Sequence, residues 1–224
     1  MKNTIQIITT VLLTIFLVSC KTKQETIIES KTEERIVVSK NNKETITATK
    51  KEKTVVLAEN SAELKATLKH IAYYDKDDYN RKLAIQKIKD ESILKHVAYF
   101  DKSDEVRQLA TKKITKETYL KHIAYFDKDK IVRGIATSKI KNEAYLKHIA
   151  YFDKSDDIRE LATQKIKNES YLKHIAYFDK SIKVRKLATS KITSVTALSH
   201  IAKFDKDQDV KRIAVYNLTK SETP

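Results

Sequence analysis

The string LKHIAYFDK stands three times unchanged in this chain, at 120–128, 146–154 and 172–180. It returns with one change at 94–102 and in weaker form at 68–76 and 198–206. The step is 26 residues each time, and all six histidines, His70, His96, His122, His148, His174 and His200, fall on it. A fixed period in the range of about 20–50 residues marks one supersecondary unit stacked on copies of itself, none of which buries a core alone. Six such units fill 64–219, at about 64–89, 90–115, 116–141, 142–167, 168–193 and 194–219. The expected architecture is a solenoid.

Within a unit the spacing is helical. Over 117–126, Tyr119, Leu120, Ile123, Ala124 and Phe126 share one side, and over 130–140 Val132, Ile135, Ala136 and Ile140 do the same. No alternation of period two survives, so the expected class is all-α, with two short helices per unit. Capping residue types stand where such helices start: Asp90, Asn142, Asn168 and Ser194 before the first, and Asp77, Ser103, Asp129, Ser155, Ser181 and Asp207 before the second. Helices of about ten residues are marginal alone, so stacking must stabilise them. The end units differ, as caps should: Asn60 to Glu63 suit a longer first helix, Tyr74 replaces Phe, and Ser199 and Lys203 replace Lys and Tyr.

Residues 1–20, MKNTIQIITTVLLTIFLVSC, have a short positive start and an apolar run over 5–18 that ends at the only cysteine. This is signal-peptide anatomy, too short and wrongly flanked for a membrane span. The LVSC end resembles the lipobox of bacterial lipoproteins. That resemblance implies removal of 1–19, a diacylglycerol thioether on Cys20 and an acyl chain such as palmitate on its new amino group. Several acyl chains anchor stably where one does not. By resemblance to lipoprotein sorting, Lys21 in place of Asp and the lack of a following acidic run favour the outer membrane, facing the periplasm. With its single cysteine committed, no disulfide is expected. Residues 20–59 read as a charged, largely disordered tether, with 34–39 pairing only transiently, and 220–224 as a tail.

The segment DKSDEVRQLA at 101–110, echoed at 153–162 and 179–188, resembles HEAT repeats of the short bacterial type, whose second helix carries Asp, polar residues, Val-Arg and Ala. The unit is shorter than most HEAT repeats and lacks their glycine and proline turns; the leucine-rich-repeat variant family is the nearest rival. The resemblance implies a right-handed α-solenoid of six two-helix HEAT-like repeats whose second helices line the inner face.

Three columns invite chemistry. Asp101, Asp127, Asp153 and Asp179, with Arg107, Arg133, Arg159 and Arg185, look like acid–base pairs. The resemblance implies instead a structural ladder between neighbouring repeats, with Asp bonding backbone amides and Arg pairing bidentately. Helices stacked about 8–10 Å apart hold the histidines too far apart to share a zinc, whose ligands sit at about 2.1 Å, so each is expected at the core boundary, bonding a neighbouring carbonyl or Asp. The third column is Lys95, His96, Tyr99, then Lys121, His122, Tyr125, then Lys147, His148, Tyr151, then Lys173, His174, Tyr177. Lysine and tyrosine there are i,i+4 and point away from the apolar arc. They read either as stems packed across repeats or as a stripe that binds an extended partner.

A net charge of +15 favours anionic partners. For an exported chain these are acidic protein faces, lipid head groups or anionic glycans rather than nucleic acid. No phosphate loop, nucleophile motif or carboxylate pair outside the repeats is present in the sequence, so neither an enzyme, a cofactor nor a metal is expected. The function expected is a lipid-anchored scaffold that binds a protein in the cell envelope, with envelope glycan or anion binding as the alternative.

Overall fold

The computed structural model describes residues 25–29, 35–39, 45–49, 52–58 and 62–221. Cys20 and the lipobox lie outside the described residues. The chain forms two compact units, divided between Lys87 and Ile88.

The first unit opens with β1 (Glu25–Glu29), β2 (Arg35–Ser39), β3 (Thr45–Thr49) and β4 (Glu52–Ala58), joined in one sheet of order β1-β2-β4-β3. β1 and β2 are antiparallel, β2 and β4 parallel, and β3 and β4 antiparallel, with Ile36 opposite Val55 and Ile46 also opposite Val55. This differs from the tether expected over 20–59. The runs ETIIE, RIVVS, TITAT and EKTVVLA are dense in β-branched residues and free of glycine and proline, a composition that suits pairing in register. α1 (Ala62–Tyr74) and α2 (Asp78–Lys87) follow, and Leu64, Leu68, Ala72, Ala84 and Ile85 on them are buried. Asn80 Nδ2 donates to Asp75 Oδ2, and Arg81 clamps the intervening turn through the carbonyls of Asp75 and Lys76.

The second unit is all-helical: five hairpins of ten-residue helices, closed by a longer last helix. They are α3 (Glu91–Phe100) with α4 (Asp104–Lys113), α5 (Glu117–Phe126) with α6 (Lys130–Lys139), α7 (Glu143–Phe152) with α8 (Asp156–Lys165), α9 (Glu169–Phe178) with α10 (Ile182–Lys191), and α11 (Val195–Phe204) with α12 (Gln208–Ser221). Consecutive pairs pack in a repeating solenoid. In the third repeat Leu120, Ile123, Ala124, Val132, Ala136 and Ile140 are all buried, and each large apolar chain of this set contributes about 1.5–3 kcal/mol. Among the described residues no helix is long and apolar enough to cross a membrane.

The second helices approach one another more closely than the first helices do. Small side chains permit it: Ala110, Thr111, Ala136, Thr137, Ala162 and Thr163 are fully buried there, and each Thr hydroxyl donates to the arginine carbonyl one turn back. The first helices are held apart by tyrosine and histidine rings.

The helix starts differ in part from the residue column. Asp90, Asp129, Asn142, Asn168 and Ser194 accept from backbone amides in the first turn. The side chains of Ser103, Ser155 and Ser181 make no capping bond; their backbone N–H groups instead donate to Asp101, Asp153 and Asp179 two residues back. α5 starts at Lys116, whose N–H goes to Glu91 of the preceding repeat.

Candidate functional site

Most of the repeated polar side chains join one repeat to the next. Arg107 donates through Nε and Nη2 to both oxygens of Asp127, 20 residues on, at 2.8 and 2.9 Å. Arg133 does the same with Asp153, Arg159 with Asp179 and Arg185 with Asp205. Each arginine also reaches back to the carbonyl of its own repeat's Asp, as Arg133 does to Asp127 at 3.1 Å. The Arg133 and Asp153 side chains are 3% and 4% exposed, so the pair is desolvated and its geometry bidentate. Hydrogen bonds donated to Asp127, Asp179 and Asp205 hold the Arg107, Arg159 and Arg185 guanidinium groups above their ordinary pKa against the opposing effect of burial.

Two further ladders have no counterpart in the reading of the sequence. Glu117 accepts from the backbone N–H of Lys141 and of Asn142 in the next repeat at 2.9 and 3.3 Å. Glu91, Glu143 and Glu169 take the equivalent amides. Lys165 Nζ donates to the carbonyls of Thr137 and Ser138 at the C-terminal end of the preceding second helix. Lys139 and Lys191 act likewise, and Asn217 takes the place in the last repeat. Burial lowers the pKa of all three lysines. These columns recur at the 26-residue step, which was the signal that marked them.

The lysines and tyrosines of the expected stripe face along the stack rather than outward. Tyr125 reaches the carbonyl of Tyr145 with its hydroxyl at 3.4 Å, and Tyr99 and Tyr151 reach Tyr119 and Tyr171. Lys95, Lys121 and Lys147 lie over the rings of Tyr119, Tyr145 and Tyr171 in the next repeat at 5.0–5.2 Å. Burial raises the pKa of Tyr99, Tyr125, Tyr151 and Tyr177. Lys173 is half-buried too, but the residue one repeat after Tyr171 is Ala197.

The histidines are exposed, not set into the core boundary. His122 stacks on Tyr99 of the preceding repeat with 4.2 Å between centroids, and the same contact joins Tyr125 to His148 and Tyr151 to His174. Burial and the ammonium groups of Lys121 and Lys147 lower the His148 pKa. Among the described residues no three His, Cys, Asp or Glu side chains converge on a point where a metal would sit.

Phenylalanine departs most from the expected apolar arc. Phe100, Phe126, Phe152 and Phe178 are about 70% exposed and Phe204 59%. Each ends its helix, tilted against the histidine one turn back; the first four also stand edge-on to the tyrosine beside them, as Phe126 does to Tyr125 at 6.0 Å with His122 at 5.0 Å, while Phe204 has Lys203 over its ring. The contacts run on without a break from His96 to Phe204: His to Phe, Phe to Tyr, Tyr to the next His. The result is a continuous aromatic ridge along the first helices, with phenylalanine at its open edge. Two residues past each Phe stands an exposed lysine, Lys102, Lys128, Lys154, Lys180 and Lys206. Between them Asp127, Asp153, Asp179 and Asp205 are turned inward, each to an arginine of the preceding repeat. A row of exposed apolar side chains of this kind is unusual on a protein surface.

No protein-family model, no curated protein and no solved structure matches this chain.

Proposed function

We propose that this chain is a lipid-anchored protein of the bacterial cell envelope, held at Cys20, whose HEAT-like stack is a non-enzymatic docking scaffold for a protein partner. The observation that carries the reading is the row of exposed phenylalanines. The Asp, Arg, Glu and Tyr columns bridge repeats, whereas Phe100 to Phe204 repeat at every step, stay largely exposed, and make their ring contacts within their own repeat. Repetition without a bridging role points outward, to a ligand. The Arg–Asp pairs that resemble catalytic acids and bases are buried and fully hydrogen-bonded, which leaves them no proton to exchange with a substrate. The anchor rests on the lipobox resemblance, and the outer membrane facing the periplasm on the residues that follow it.

A second reading, an envelope glycan or other anionic polymer on the same face, draws on the pairing of aromatic rings with lysines. A photoreactive phenylalanine analogue placed at 126 in intact cells separates the two. The expected product is a discrete adduct that protease digests, formed from position 126 but not from Gln164 on the second helices. An adduct that survives protease and falls to glycan hydrolysis replaces the protein partner with a polysaccharide. Crosslinks formed only from position 164 move docking to the second-helix face.

A further inference from the structure

We propose that the phenylalanine ridge docks an acidic, proline-rich segment in the polyproline II conformation, one turn of the ligand per repeat. The inference rests on the protein-partner reading above and names that partner's chemistry.

Charge is the first observation. Asp127, Asp153, Asp179 and Asp205, which follow Phe126, Phe152, Phe178 and Phe204, are each buried on an arginine, while the next residue is an exposed lysine. The open edge thus presents ring, imidazole and ammonium in fixed order. Lys128 is shared with the exposed Asp104 at 3.9 Å, a contact weak enough for a ligand carboxylate to replace. A partner that satisfies this edge is acidic.

Chemical type is the second. The five positions hold Phe without exception, although an aliphatic side chain would fill space equally well. A flat ring open on one side suits a partner that presents flat, rigid apolar groups, and aromatic surfaces that recognise proline do so in this way. Proline-rich segments are already extended and have no internal hydrogen bonds to break, so they lose little entropy on docking to a surface that offers side chains and no free strand edge.

Period is the third. Packed helices lie about 8–10 Å apart, and polyproline II returns the same side chain after three residues, about 9 Å. A β-strand returns it after two, about 6.7 Å, and drifts out of phase within two repeats. An α-helix has a turn of about 5.4 Å, so only every second turn would meet a phenylalanine. A segment of about fifteen residues in polyproline II repeats one contact set along all five phenylalanines.

The test measures fluorescence anisotropy of labelled peptides with the full chain. The probe is (Pro-Pro-Glu)5; its controls are (Pro-Pro-Gln)5, (Gly-Gly-Glu)5, an alanine–glutamate helix of equal charge, and unlabelled polygalacturonate as a competitor. (Pro-Pro-Glu)5 is expected to bind at least tenfold tighter than each control peptide and to weaken as salt rises. F126A/F152A/F178A should lose at least tenfold. F126L/F152L/F178L keeps apolar bulk without the ring; it should lose nearly as much while its melting temperature stays near the parent's. K128S/K154S/K180S should flatten the salt dependence. Equal binding of (Gly-Gly-Glu)5, tighter binding of the helix, displacement by polygalacturonate at lower concentration, or full affinity in the leucine variant would each overturn the proposal. If (Pro-Pro-Glu)5 fails to bind while position 126 still crosslinks a protein in cells, the proline-rich partner is wrong and the docking scaffold stands.

Discussion

Tyr125 of one repeat lies flat on His148 of the next, 4.0 Å between ring centroids, with its hydroxyl aimed at the Tyr145 carbonyl of that same repeat. One side chain therefore spaces two helices and fixes their register. It also supports Phe126 edge-on and holds the base of the ridge rigid.

Truncating this contact should cost in two steps. Tyr125→Phe removes only the hydroxyl and is expected to lower stability by about 0.5–1 kcal/mol, near the net value of one hydrogen bond. Tyr125→Ala also loses the stack and the buried ring area, and should cost about 2–3 kcal/mol. Urea midpoints measure both, and equal losses would mean that the ring contributes nothing between repeats.

Gly134, the only glycine, faces Ile158 of the next repeat, where the equivalent positions 106, 132, 184 and 210 hold valine. A Cβ on Gly134 would stand 3.2 Å from Ile158 Cδ1, so the extra methyl occupies the space that the glycine leaves. Gly134→Ala alone gains helix propensity of about 1 kcal/mol and loses part of it to the close contact. Ile158→Val alone leaves a void costing about 0.5–1.5 kcal/mol. The double variant should be more stable than the sum of the two, by a coupling of about 0.5 kcal/mol or more. Simple additivity in denaturation would show that the two sites do not compensate.

Arg133→Ala strands the Asp153 carboxylate in the interior and frees the carbonyls of Asp127 and Lys128. A loss of about 3–5 kcal/mol is expected, with crosslinking at position 126 unchanged wherever the variant is folded. By contrast, deleting 116–141 in register brings Arg107 against Asp153 and should leave a shorter, cooperatively folding chain, because each repeat bonds only its neighbours. Calorimetry of the two variants should rank the deletion above the point change; the reverse order would argue against a one-dimensional stack.

Hydrogen bonding holds the Glu91 and Glu169 carboxyls below their ordinary value of 4.5, through the Thr115 side chain for Glu91 and the Ser194 amide for Glu169. A depressed carboxylate contributes stability that is present above the unfolded pKa and is lost as pH falls through the folded one. The chain should therefore weaken steadily from about pH 4.5 downward. E91Q/E169Q should be less stable at pH 7 and show a shallower acid decline in urea midpoints taken at each pH. An unchanged slope would assign the decline to the other lowered carboxylates, Asp157, Asp205 and Asp209.

Cys20→Ala should abolish fatty-acid labelling and release the chain from the membrane fraction or block its maturation. A variant that still labels and fractionates like the parent would remove the lipobox reading.

The repeat count, the helix pair and the buried set Leu120, Ile123, Val132, Ala136 and Ile140 follow from the sequence by itself. They depend on spacing along a single helix, which local periodicity encodes. The contacts between repeats do not. On a helical wheel Lys121 and Tyr125 lie off the apolar arc and look solvent-facing, yet the next repeat covers that side. Phe126 belongs to the arc by spacing and by hydrophobicity. It stands at the last residue of α5, however, where the chain turns at Asp127, and among the described residues its ring stays largely exposed. Which polar side chain is covered and which apolar one is bare depends on where the neighbouring helix lies. Only the tertiary stack sets that distance and angle, so the columns belong to the sequence and the ridge to the fold.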